Sequence, residues 1–158
     1  MEARSIWPNY CRTILSAAEF LNQFSNGEEF YEWANSLYGN KRSMPALPMI
    51  LAAEIYGIGY PLACDFLKEL GFVDYGKPDV HVIDIFVGIG LCQPKPKPYQ
   101  VQKVITKIAD AASVTAYNVD KLFWLIGSGK FYNHKHLGKN GHIGRMKHAF
   151  IAHFNAQQ

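Results

Sequence analysis

Apolar residues recur at helical spacing along almost the whole chain. From Asn9 to Phe24, the residues Ile14, Ala17, Ala18, Leu21 and Phe24 make one predicted stripe, and Asn26-Gly27 stops the run. Glu28 and Glu29 open a second helix, where negative charge suits the N-terminus. Phe30, Trp33, Ala34, Leu37 and Tyr38 form its apolar face, and Gly39 ends it. Ser43, Pro45 and Pro48 mark the entry to a third helix that runs to Tyr56. Pro61 to Leu70 reads as a fourth, closed by Gly71. Further on, Tyr99 to Ala112 carries Val101, Val104, Ile105, Ile108 and Ala112 on one face. Thr115 or Asn118 starts the next helix, which ends at Gly127 and Gly129. A last helix is expected over His142 to Phe154, with Ile143, Met146, Phe150 and Phe154 inward.

One stretch resists this pattern. Val80 to Leu91 contains Val80, Val82, Ile83, Ile85, Val87 and Ile89, and β-branched residues favour a strand. The same stretch is apolar on every side, so as a helix it would be fully buried. The all-helical surroundings offer it no partner strands.

Composition agrees with a globular protein: 158 residues, 49% hydrophobic and 18% charged. That length is enough for one real core. No apolar run is long enough for a transmembrane helix, and Met1-Glu2-Ala3-Arg4-Ser5 is not followed by a signal-peptide core. Cys11, Cys64 and Cys92 are odd in number and irregular in spacing, which suits reduced thiols in a cytoplasm. The net charge of +3 is unevenly spread. Up to Pro78 there are six basic and nine acidic residues; from Asp79 onward, ten basic and four acidic. Such asymmetry fits a polyanion on one side of the molecule, or simply a solvated basic surface.

Two features carry candidate chemistry. The first is Ile55-Tyr56-Gly57-Ile58-Gly59-Tyr60-Pro61, a Gly-x-Gly turn between two helices. Its glycines permit positive φ and leave backbone N–H groups unobstructed at Gly57, Ile58, Gly59 and Tyr60. A helix beginning just after it offers unpaired N–H groups to a phosphate, and Pro61 fits such a start. Plain punctuation between helices is the simpler reading. The second is Lys77-Pro78-Asp79-Val80-His81, a carboxylate and an imidazole at the head of the apolar run. Taken alone, Asp79 reads as a helix N-cap and His81 as a structural histidine.

Together, with Asp79 twenty residues beyond Gly59, these features resemble the helix-hairpin-helix DNA glycosylases. The local wording is similar to the 8-oxoguanine glycosylase and endonuclease III-like branches. The family has a Leu-Pro-Gly-hydrophobic-Gly hairpin followed by an Asp in a Val-Asp-x-His context. The overlap runs from Ile55 to His81. The resemblance implies an all-α fold of about eight helices in two lobes, in a single domain over residues 1–158 with the hairpin near 49–70. It also makes Val80 to Leu91 the central helix, against propensity. Asp79 would be the essential carboxylate at the mouth of a cleft between the lobes, with His81 supporting it. Double-stranded DNA carrying a damaged base is the implied partner. A cytoplasmic, nucleoid-associated monomer without organic cofactor is expected. Relatives with an iron–sulfur cluster use four cysteines after the catalytic region, and here none follows Cys92.

Two positions depart from the family. Tyr56 replaces the usual Pro before the first glycine. Bifunctional members carry a lysine two positions after the second glycine, which attacks the sugar; Pro61 stands there and has no amine. A monofunctional enzyme is therefore expected, unless another amine such as Lys68 serves. A helix-hairpin-helix protein that binds DNA without excision is the alternative. Trp7, Tyr10, Phe30, Tyr31, Trp33, Tyr38 and Trp124 are candidates to stack on a flipped base, though most lie on helical stripes and read as core. Finally, Lys130 to His142 has no acidic residue, and Lys135 and Lys139 within it are candidate phosphate contacts. His134, His136 and His142 fit no structural zinc pattern, and no metal site is expected.

Overall fold

The computed structural model describes residues 6–130 and 145–157. Among them the chain forms eight α-helices and no β-strand, so the protein is all-α. The helices are α1 (Trp7–Leu21), α2 (Gly27–Tyr38), α3 (Ala46–Glu54), α4 (Tyr60–Glu69), α5 (Val80–Gly88), α6 (Pro98–Ala112), α7 (Ala116–Ser128) and α8 (Lys147–Asn155). They divide into two compact units, Met1–Leu67 and Lys68–Gln158.

In the first unit an aromatic cluster joins α1 to α2. Phe20, Phe24, Phe30 and Trp33 meet edge-on or tilted, with ring centroids between 5.4 and 5.8 Å apart. The inward stripe of α1 is therefore not the one its leucine and isoleucine suggested. Ile14, Ala18 and Leu21 are exposed, while Thr13, Ser16, Ala17 and Phe20 turn inward. Periodicity misled here because α1 is apolar on two faces, and the larger aromatic surface was buried. The α2 stripe lies as expected, with Phe30 and Ala34 buried. Asn26 caps α2 by accepting the Glu29 N–H at 2.9 Å.

The core of the second unit is built on α5. Val82, Ile85, Phe86 and Ile89 pack with Val101, Ile105 and Ala109 of α6 and with Ala116 and Val119 of α7. Helix wins over β propensity in this stretch because its inner face is buried among other helices and no strand among the described residues offers a ladder. The stretch is not buried on every side as expected, since Val80, Asp84 and Leu91 are exposed. Asp79 starts the helix: its Oδ1 accepts the N–H of His81 at 2.9 Å and of Val82 at 3.0 Å. Thr115 is the cap of α7, accepting the Asn118 N–H at 3.2 Å. The last helix lies against α5 through Phe150, Ile151 and Phe154, an Asp84–Lys147 ion pair, and an Asn155 side chain that donates to the Gly88 carbonyl at 3.1 Å. Met146, expected inward, is exposed and precedes the helix. The expected start of this helix, residues 142–144, lies outside the described residues.

The segment between α4 and α5 has no regular structure; it is exposed at Gly71, Val73 and Asp74 and then turns inward, with Tyr75 and Pro78 fully buried. Behind it lies a buried ion pair. Lys68 Nζ stands 2.8 Å from Asp120 Oδ2, and the two side chains are 2% and 3% exposed. Burial pushes the Asp120 carboxyl above the usual carboxylate range, while Lys68 pulls it back down.

The ion pair makes a pH-dependent prediction. A carboxyl whose folded pKa is raised keeps its proton to higher pH in the folded state than in the unfolded state. Its contribution to stability is therefore largest below the ordinary carboxylate range and falls as pH rises through the raised value. Lys68→Met removes the downward pull and leaves a buried, uncompensated carboxylate. Chemical denaturation should show a loss of about 3–5 kcal/mol near neutral pH. The deficit should shrink as pH falls towards the ordinary carboxylate range.

Candidate functional site

The Gly-x-Gly turn lies in the first unit. The Ile58 N–H donates to the Ile55 carbonyl at 3.2 Å, and Gly57 at the third position has φ of +79°. This is the dihedral demand of a type II turn, and it selects glycine at that position. A second reason is steric. A Cβ on Gly57 would stand 2.4 Å from the Thr13 Oγ1 of α1. The same helix holds the preceding residue, because Ser16 Oγ accepts the Tyr56 N–H at 2.9 Å. A proline before the first glycine has no N–H to give, so Tyr56 is used here rather than merely tolerated.

Gly59 differs from its neighbour. Its φ is not in the left-handed region, and a Cβ there would meet only Pro61 Cδ, at 3.8 Å. Of the two glycines that permit positive φ, only Gly57 uses it. Gly59 is exposed and its carbonyl accepts the Ala63 N–H at 3.0 Å, which begins α4. Ile58 and Tyr60 are half-buried. The first turn of any α-helix holds N–H groups without intrahelical partners, and α4 presents its first turn directly after this exposed glycine.

Asp79 lies in the second unit and is half-buried. Its Oδ1 takes both capping bonds, and Oδ2 carries no hydrogen bond among the described residues. One oxygen therefore locks the carboxyl group to the backbone and the other is left for a ligand or water. The helix end behind it favours negative charge at this point. His81 follows on the same turn and packs against α7. A Cβ on Gly127 would stand 2.5 Å from His81 Cβ, so glycine is what lets the two helices approach there. The His81 Nδ1 is buried and has no hydrogen-bond partner among the described residues.

The remaining candidates separate clearly. Pro61 occupies the first turn of α4. Lys68, the reserve amine, is buried against Asp120 and also lies over the Tyr117 ring at 5.4 Å, which removes it from solvent and from any substrate. Among the aromatic candidates Trp7 and Tyr10 are exposed, and Phe30 is buried. Lys135, Lys139 and the histidines His134, His136 and His142 lie outside the described residues. The sequence reading missed Gln102 and Asp120, two buried polar side chains that hold the segment leading to Asp79. Each sits on a helix otherwise facing the core, and a polar residue at an apolar position was the available signal.

Compared with curated proteins, the chain is 26% identical over 86 residues to the 8-oxoguanine DNA glycosylase/AP lyase of Korarchaeum cryptofilum (strain OPF8). The matched stretch is 51% of this chain and 41% of that protein. No family model matches the chain, and no solved structure matches it. The relationship is distant, and it is to a DNA glycosylase. No helix among the described residues is long and apolar enough to cross a membrane.

The geometry of the turn separates its two glycines experimentally. Gly57→Ala should lower stability by about 1–3 kcal/mol, from a left-handed φ and the Thr13 clash together. Gly59→Ala meets neither cost and should change stability by less than ~1 kcal/mol. Thermal or urea unfolding of the two variants checks the difference.

Proposed function

We propose that the protein is a DNA glycosylase of base excision repair, hydrolysing the bond between a damaged base and its sugar. The observation that carries this reading is Asp79: a half-buried carboxylate with one oxygen tied to two backbone N–H groups and the other free of hydrogen bonds among the described residues. The distant relationship to a DNA glycosylase supports it. Base removal passes through a cation-like sugar. A carboxylate held in place stabilises that charge or orients the attacking water, as in glycoside hydrolysis generally. The substrate is duplex DNA whose damaged base is flipped out of the stack. Of the turn Gly57-Ile58-Gly59-Tyr60, the Ile58 N–H is already given to the Ile55 carbonyl. The backbone at the exposed Gly57 and Gly59 and at Tyr60, where α4 starts, would hold a phosphate of the strand. Lys135 and Lys139 would add to the basic contact, and His81 supports the loop of Asp79.

Asp79→Asn decides between this enzyme and a protein that only binds DNA. The amide keeps an oxygen to cap α5, so unfolding should change little. Loss of the charge should slow excision at least about a hundredfold, on the order of 3 kcal/mol of barrier. Binding to the duplex should hold or tighten. The assay is a panel of lesion-bearing duplexes, with abasic sites revealed by alkali. Excision at the parent rate by the variant would remove Asp79 from the chemistry. A parent protein that excises nothing but binds duplex would favour the binding module.

The relative's name includes a lyase activity, which needs an amine that attacks the sugar. In this chain Pro61 stands at the position the family resemblance assigns to that amine, and Lys68 is buried. We therefore read the protein as monofunctional. Borohydride should trap no covalent complex with an abasic duplex on a denaturing gel. An efficient trapped complex would show that another amine acts.

A further inference from the structure

Of the ten residues that separate α4 from α5, Val73, Asp74, Gly76 and Lys77 are held by side chains and backbone of α6 and α7. The Val73 carbonyl accepts the Tyr117 N–H at 2.9 Å. The Asp74 carbonyl accepts from Gln102 Nε2 at 3.2 Å, and the Gly76 N–H donates to Gln102 Oε1 at 3.2 Å. The Lys77 N–H donates to the Asp120 carboxylate. The Asp79 N–H then turns back to the Lys77 carbonyl at 2.8 Å. The approach is too close for a side chain at Gly76. A Cβ there would stand 2.9 Å from Ile105 Cγ2 and 3.1 Å from both the Ala116 carbonyl oxygen and Asp120 Cβ.

Both anchoring side chains are buried, Gln102 at 3% and Asp120 at 2% exposure. Burying an amide and an ion pair in an apolar core is a poor route to stability, since well-packed hydrophobic residues generally serve as well or better. What such groups supply is position. Their bonds go to Asp74, Gly76 and Lys77, the residues that set where Asp79 emerges. Lys68 supplies the counter-charge that keeps Asp120 an acceptor in this environment.

We propose that Asp120 and Gln102 are positioning residues for Asp79, fixing the buried loop so that its carboxylate stands ready at the head of α5. The inference rests on the reading of Asp79 as the reacting carboxylate. Neither residue touches DNA in this role; each acts through the backbone of residues 74–77. A loosened loop would leave substrate binding intact while the reacting group wanders, and misplacement of about 1 Å is enough to slow chemistry on the order of a hundredfold.

The test compares two double variants of the full chain. Lys68→Met with Asp120→Asn removes the buried charges but keeps an oxygen for the Lys77 N–H. Lys68→Met with Asp120→Leu removes the charges and the acceptor together. The first should excise at near the parent rate. The second should lose kcat by at least about tenfold with KM little changed. Gln102→Met leaves the ion pair untouched and should give the same split between kcat and KM; it carries the test alone if the leucine variant does not fold. A second readout does not depend on excision. Hydrogen exchange at the His81 and Val82 amides, which Asp79 caps, should be at least about tenfold faster in the leucine variant than in the asparagine variant. Equal kcat or equal exchange in the two double variants overturns the positioning role. If the parent protein removes no base from any duplex, the reading of Asp79 falls and the catalytic half of the inference falls with it. The exchange comparison then still decides whether Asp120 fixes the cap.

Discussion

The constraint on which the second unit depends is the burial of an irregular segment. Residues in helices satisfy their own backbone groups; residues between helices do not. Here the connection from α4 to α5 runs through the interior, with Tyr75 and Pro78 fully buried. Some of its backbone groups pair within the segment, and those of its buried part need partners from other elements. Gln102 answers two of them, Asp120 a third and the Tyr117 backbone a fourth. Polar residues at core-facing positions of α6 and α7 follow from that demand, and so does the lysine that neutralises Asp120.

The same constraint links structure to chemistry. A loop anchored in this way leads directly into the Asp79 cap, and the cap into a helix buried in the core. In the first unit the logic is similar on a smaller scale. The turn at Gly57 is fastened from behind by Thr13 and Ser16 of α1, while the exposed Gly59 leads straight into the first turn of α4. In both places a rigid background leaves one side of a backbone or a carboxylate open.

Much of this was legible in the chain. Helix spacing located seven of the eight helices, six of them to within two or three residues, because amphipathic periodicity is a strong local signal; the last was expected from His142 and begins at Lys147. The Val80 helix was readable only with help from the family resemblance, since β-branched residues alone argue the other way. Asp79 could be singled out because an Asp just before an apolar run is the pattern of a helix cap, which the structure bears out. The α1 face was misread: Ile14 and Leu21 are exposed and Phe20 is buried, a choice between two apolar faces that periodicity cannot make.

What the sequence determined by itself is local: the helices other than α5, the caps Asp79 and Thr115, a glycine-bearing turn between α3 and α4, and the absence of an amine at Pro61. These depend on residues within one or two turns of each other. Tertiary structure decided the rest. It paired Lys68 with Asp120 across fifty-two positions and turned Gln102 towards a loop twenty-six residues upstream. It also confined the left-handed backbone to Gly57 and set His81 against Gly127. Such contacts join residues distant in the chain, and no local pattern encodes which of several buried polar groups will meet.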